Sequence, residues 1–85
     1  MYWDIVEVKT SAHLTLVVRF RDNTTGSVQF TDHYLTGVFA PLRNPEFFNR
    51  VSVNNGAVTW PGDLDLAPDA MYHEIKKHGK CLFKD

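Results

Sequence analysis

Leu14, Leu16, Val18 and Phe20 alternate along the chain with Thr15, Val17, Arg19 and Arg21. A period of two places alternate side chains on one face, so this stretch predicts a half-buried strand. The segments on either side have compatible parity. Val6 and Val8 can stand opposite Leu16 and Leu14 across a turn at Thr10-Ser11-Ala12. Val28 and Phe30 can stand opposite Phe20 and Val18 across a loop centred on Asn23-Thr24-Thr25. Each pairing gathers apolar side chains on a common face, which is what selects register when one side of a sheet is buried.

A sharper signal lies at residues 51–60. Val51-Ser52-Val53-Asn54 and Ala57-Val58-Thr59-Trp60 flank Asn55-Gly56, and Asn-Gly supplies the two positive φ values of a type I′ turn. The hairpin so formed sets Val53 opposite Val58 and Val51 opposite Trp60. Three helical pieces follow from capping chemistry. Thr31–Gly37 reads as one turn, capped by Thr31 or Asp32 and stopped by Gly37. Asn44 caps a short helix with Pro45 at its first position. Pro68–His78 forms the longest helix, with Asp69 near its positive end, Met71, Ile75 and His78 on one face, and Gly79 as terminator. The order βββ, short helices, ββ, α describes a single α+β domain over residues 1–85 built on an antiparallel sheet.

Composition agrees with one small core. The chain has 85 residues, 44% hydrophobic and 13% aromatic, which is incompatible with disorder. No run of hydrophobic residues exceeds three, as in Leu16-Val17-Val18, far short of the ~20 residues of a membrane span. No basic-then-apolar leader follows Met1, and the lone Cys81 cannot form an internal disulfide. Together these predict a cytoplasmic protein without membrane attachment. The net charge of −1 is unevenly placed. Residues 1–72 carry −3, whereas Lys76, Lys77, Lys80 and Lys84 outweigh Glu74 and Asp85 in the tail. Those four lysines are candidate partner-binding residues. Gly79 interrupts any continuous basic stripe, so nucleic-acid binding by the isolated domain is not expected.

Catalytic signals are weak. His73 and His78 are five residues apart and diverge by about 140° on a helix, too far for a zinc pair. Serines lie on turns or strands without a nucleophile elbow, and Cys81 reads as part of a frayed terminus with no activating base. No cofactor or metal is expected. Trp60, Asp63, Asp65 and Asp69 form the one cluster with chemical potential, since nearby carboxylates can hold a cation or share acid–base work. No third ligand or bidentate Glu completes a calcium loop. The structural expectation is that Asp65 or Asp69 caps the last helix and Asp63 forms a turn. Phe20, Phe30 and Trp60 fall on apolar strand faces and read as core rather than as a base-stacking platform.

Gly37-Val38-Phe39-Ala40-Pro41-Leu42, Pro45-Glu46-Phe47-Phe48-Asn49-Arg50-Val51, then Gly56, Val58, Trp60-Pro61, Asp65-Leu66, Asp69 and Tyr72 make an ordered string. It resembles the bacterial domain-of-unknown-function 2442 family, in which "V-F-x-P-L-x-x-P-x-x-F-x-x-V" precedes a hairpin and "W-P-x-G-x-D-L-x-x-D-x-L-Y". Two turns depart from that pattern: Asp22-Asn23-Thr24-Thr25-Gly26 replaces a shorter Asp-Gly turn, and Gly62 follows Pro61 directly. The resemblance implies the same α+β fold, a small cytoplasmic bacterial domain and no agreed catalytic residues. It also implies a neighbouring gene for a second small protein, in an arrangement like a toxin–antitoxin pair. The leading expectation is therefore a non-enzymatic module that binds and regulates a protein partner. A ligand-binding, metal-binding or enzymatic domain using Asp63, Asp65 and Asp69 is the alternative, and weak nucleic-acid binding by the C-terminal lysines a third. Oligomeric state is not specified.

Overall fold

The structure, a computed structural model, describes residues 1–84; Asp85, counted above in the charge of the tail, lies outside the described residues. The chain forms β1 (Ile5–Ala12), β2 (Thr15–Phe20) and β3 (Thr25–Phe30), then a 3₁₀ segment (Gly37–Arg43) and the short helix α1 (Pro45–Phe48). It continues through β4 (Ser52–Asn54), β5 (Ala57–Trp60), β6 (Leu64–Leu66), α2 (Pro68–His78) and β7 (Lys80–Phe83). This is the expected α+β class, but the strands divide into two sheets rather than one. One sheet has the order β1-β2-β3-β7 and the other β4-β5-β6. The first is mixed, because β7 runs parallel to β3. A parallel neighbour needs a crossover connection, and the whole stretch from Thr31 to Gly79 provides it.

Two registers differ from the sequence expectation. β1 pairs with β2 through Val8↔Val18 and Thr10↔Leu16 and turns at His13-Leu14, not at residues 10–12. Irregularities at Ile5/Glu7 and Thr10/Ala12 shift the parity. Ile5 thereby faces the core while Val6 is 41% exposed. Leu14 takes a left-handed φ of 53°, unusual for a bulky residue, yet its side chain is buried and its carbonyl accepts the Phe30 N–H. β2 and β3 pair four residues tighter than expected, Leu16↔Val28 and Val18↔Gly26. The turn is only Arg21-Asp22-Asn23, because Asn23 accepts φ 72° and the Asp22 carboxylate takes the Thr24 N–H at 2.9 Å. A four-residue shift preserves parity, so Leu16, Val18, Phe20, Val28 and Phe30 are all buried as the alternation requires. The β4–β5 hairpin has the expected Val53↔Val58 pairing, with Asn55 and Gly56 at φ 53° and 79°. Val51 precedes the ladder, so its expected pairing with Trp60 is not made.

The core lies between the inner face of the four-stranded sheet, the second sheet and α2. Phe30 is at its centre, within 6.3 Å of the rings of Tyr34, Phe48, Trp60 and Phe83. The Trp60 indole N–H donates to the Phe48 carbonyl at 2.9 Å, tying the second sheet to α1. α2 begins with Pro68 and ends where Gly79, at φ 78°, donates its N–H to the Ile75 carbonyl. Met71, Tyr72 and Ile75 form its buried face; His78, expected there, is exposed because the chain turns at Gly79 into β7. Residues 31–36 are turns rather than a helix, and Gly37 (φ 58°) opens the 3₁₀ segment instead of closing a helical turn. No helix among the described residues is long and apolar enough to cross a membrane.

Candidate functional site

The cluster of Trp60 and three aspartates is only partly assembled. β5 ends at Trp60, and Pro61-Gly62-Asp63 turns the chain into β6, with Gly62 at φ 88° and Asp63 at φ 64°. Asp65 then stands opposite Thr59. Alternation in Leu64-Asp65-Leu66 sends Leu66 into the core and Asp65 to solvent. Asp63 and Asp65 share an open depression of about 290 Å³ with Asn54, Thr59, Trp60, Pro61 and Gly62. Asp69 is exposed in the first turn of α2, outside that depression. Neither Asp65 nor Asp69 caps the helix: the N-cap is Ala67, with no side-chain hydrogen bond. β6 runs into Pro68 without a loop, which leaves Asp65 on the strand and Asp69 already inside the helix. Asp63 does occupy a turn. Among the described residues no three His, Cys, Asp or Glu side chains are grouped to hold a metal ion. Two solvated carboxylates on an open surface are suited to a cationic or hydrogen-bond-donating group.

Beside this depression, and sharing Pro61 and Gly62 with it, is an apolar groove of about 410 Å³ lined also by Val38, Pro41, Phe47 and Leu64. The 3₁₀ segment builds one wall. In a 3₁₀ helix residues i and i+3 eclipse, so Val38 and Pro41 share the outward side while Phe39 and Leu42 share the inward one. Leu42 is fully buried and Val38 is 71% exposed. The Arg43 guanidinium holds the segment in place by donating to the carbonyls of Leu35 at 2.7 Å and Asp32 at 2.5 Å. The groove is not legible in the sequence, because the three-residue period of Gly37–Arg43 carries meaning only once that stretch is a 3₁₀ helix. A third cavity, about 280 Å³, has Leu14, Leu42, Pro45 and Phe48 for its apolar lining and His13, Arg43 and Asn49 for its polar one.

The four lysines do not act as one patch. Lys76 lies over the Tyr72 ring at 5.8 Å, and Lys77 is exposed on α2. Lys80 belongs to β7 and Lys84 follows it, both exposed. Cys81 is not frayed: it is 4% exposed in β7, and burial pushes its thiol pKa up, so it is a core residue and a poor nucleophile. The Tyr72 hydroxyl donates to Asp22 at 2.5 Å across the molecule. That bond, with those from Thr24, lowers the Asp22 carboxyl to about 2. It fastens α2 to the β2–β3 turn.

The residues carrying the sequence resemblance thus serve two ends. Leu42, Phe48, Trp60, Leu66 and Tyr72 are buried, while Val38, Pro41, Pro61 and Asp65 line the groove and its acidic border. No curated protein and no solved structure is significantly similar to the chain. A family model described as "Protein of unknown function (DUF2442)" matches residues 5–77, all of the fold except the end of α2 and β7. The chain belongs to the DUF2442 family.

Proposed function

We propose that this domain is a non-enzymatic protein-interaction module whose groove between the 3₁₀ segment and β6 receives a segment of a partner protein. The observation that carries this reading is the groove itself: Val38, Pro41, Phe47 and Leu64 leave apolar surface open to solvent beside two carboxylates. Contiguous exposed apolar surface with a polar rim is the usual mark of a protein contact. The segment that fits has apolar side chains for the groove and a Lys or Arg for Asp63 and Asp65. A small protein encoded beside this one, in a toxin–antitoxin-like pair in a bacterial cytoplasm, is the proposed partner, with this domain as the regulatory member.

The test is co-expression with the product of the adjoining reading frame, followed by NMR mapping on the labelled domain. Shifts centred on Val38, Phe47 and Leu64, abolished by Val38→Asp, are expected. Shifts confined to other surfaces would defeat the proposal. The carboxylate pair also bears on a ligand-binding reading, because Asn54 and Thr59 bring further polar groups to the same depression. Saturable shifts of Asp63 and Asp65 with sub-millimolar Mg²⁺, Ca²⁺ or Zn²⁺ would favour it. Nucleic-acid recognition by the lysines would require sub-micromolar affinity that survives 150 mM salt, against the steep salt dependence of phosphate contacts.

A further inference from the structure

β7 is the last strand of its sheet and pairs on one side only, with β3. The Phe83 carbonyl accepts the Thr31 N–H at 3.0 Å, so Cys81 and Phe83 direct their backbone groups toward β3. Backbone groups alternate in direction along a strand, which turns the N–H and C=O of Lys80 and Leu82 outward. Among the described residues no other hydrogen bond reaches them. The side chains alternate as well. Cys81 is buried and Phe83 half-buried on the inner face, while Lys80, Leu82 and Lys84 are exposed, Leu82 to 44%. The free edge therefore presents, on the outer face, cation, apolar, cation.

We propose that this edge is a strand-addition site for an extended, acidic segment of another protein. Main-chain bonds to Lys80 and Leu82 would supply the pairing, and side chains the selectivity, as in other strand-addition modes. Opposite Lys80, Leu82 and Lys84 the guest carries Glu or Asp, an apolar residue, then Glu or Asp at positions i, i+2 and i+4. Its intervening residues lie beside Cys81 and Phe83 and are apolar. A second copy of this chain is the wrong occupant. Antiparallel pairing of two β7 strands about Leu82 sets Lys80 against Lys84, and parallel pairing sets each lysine against itself; like charges directly opposite are destabilising. Lysines on an edge ordinarily discourage such self-pairing, and the same charges select an acidic guest. The site is separate from the groove and does not depend on it.

The probe is a short capped peptide with the core Glu-Val-Ile-Val-Glu, titrated into the ¹⁵N-labelled protein, with the Lys-Val-Ile-Val-Lys peptide as its counterpart. The expected result is saturable shifts over Lys80–Lys84, slowed exchange of the Leu82 N–H, and weakening as salt rises. Replacing Lys80 and Lys84 together by Gln should weaken binding about two- to thirty-fold, the range that two exposed ion pairs span. Leu82→Pro removes an outward N–H but no bond to β3, and should abolish binding. Should that variant unfold, N-methylating the peptide at the residues whose N–H faces β7, against methylation of its other edge, makes the same distinction on the intact protein. Absence of saturable shifts at millimolar peptide, equal binding of the lysine counterpart, or self-association through β7 would overturn the proposal. Val38→Asp should leave this binding unchanged, so failure here is distinguishable from failure of the groove.

Discussion

The seam between α2 and the four-stranded sheet and the groove beside β6 are both apolar, and they are opposite in packing. At the seam there is no room for one methyl group: a Cβ on Gly26 would stand 2.5 Å from Ile75 Cγ2 and 3.0 Å from the Gly79 carbonyl oxygen. At the groove, Val38, Pro41 and Leu64 leave about 410 Å³ open. Residue type does not separate these regions, since both are lined by aliphatic side chains. What separates them is whether a second element is positioned to fill the space. α2 is long enough to lie across β3 and β7, whereas the 3₁₀ segment and α1 end before they can cover β6. Apolar surface consumed at the seam stabilises the fold; apolar surface left at the groove is available to a partner.

The largest effect should come from emptying the seam. Ile75 is 3% exposed, and Ile75→Ala should cost ~2–5 kcal/mol in denaturant unfolding, by lost burial and the cavity left behind. An unchanged midpoint would show that α2 is not packed there and would erase the contrast. Overfilling the same seam should come next. Gly26→Ala should cost about 1–3 kcal/mol, because the new Cβ would stand 2.5 Å from Ile75 Cγ2 and the buried Ile75 must shift while the Gly79 carbonyl holds its place. With Ile75→Ala present, the Gly26→Ala penalty should shrink, and strictly additive losses would place the clash elsewhere.

A smaller, pH-dependent effect belongs to the bond that fastens the helix. Asp22 is lowered to about 2, below the ~3.9 of an unfolded aspartate. Its stabilisation is therefore complete above about pH 4 and is lost as pH falls toward about 2. Tyr72→Phe removes the largest cause of the shift and should move the acid-unfolding midpoint upward. A midpoint unmoved by the substitution would mean that the Thr24 bonds alone set the Asp22 pKa. The smallest effect is expected in the groove. Val38→Ser should change stability by no more than about 0.5 kcal/mol, as for an ordinary surface position, while weakening capture of a partner. A loss comparable to that at Ile75 would show the groove to be a second packed seam.

Periodicity and turn chemistry reached far into this fold. The alternation of Leu16, Val18 and Phe20 with polar neighbours identified the inner face whatever the register, because parity survives an even shift. Asn55-Gly56 specified its turn and the Val53↔Val58 pairing beside it, since few sequences satisfy two consecutive positive φ values, but not where the ladder stops short of Val51. Asn44-Pro45 and Pro68…Gly79 marked helix ends for equally local reasons. Where no turn residue marks the reversal, as at His13-Leu14, local pattern does not fix the pairing: the bulges in β1 and the left-handed Leu14 are held by burial and by the Phe30 N–H, neither of which is local.

The same division holds at the candidate sites. The sequence by itself placed Asp63 in a turn and singled out the lysines, but it expected Asp65 or Asp69 to cap α2, which neither does. Only the tertiary structure decided that Asp69 stands apart from the other two, that Lys76 is committed to Tyr72, and that Lys80 and Lys84 lie along a free edge. β7 shows why. Lys80-Cys81-Leu82-Phe83-Lys84 alternates visibly, but four residues after a helix-ending glycine form a strand only when a partner such as β3 supplies hydrogen bonds and a core accepts Cys81 and Phe83. Local propensity is written in neighbouring residues. Edges, grooves and parallel pairings are made by residues some fifty positions apart, as Ser27 and Lys80 are, and they exist only once the core has brought those residues together.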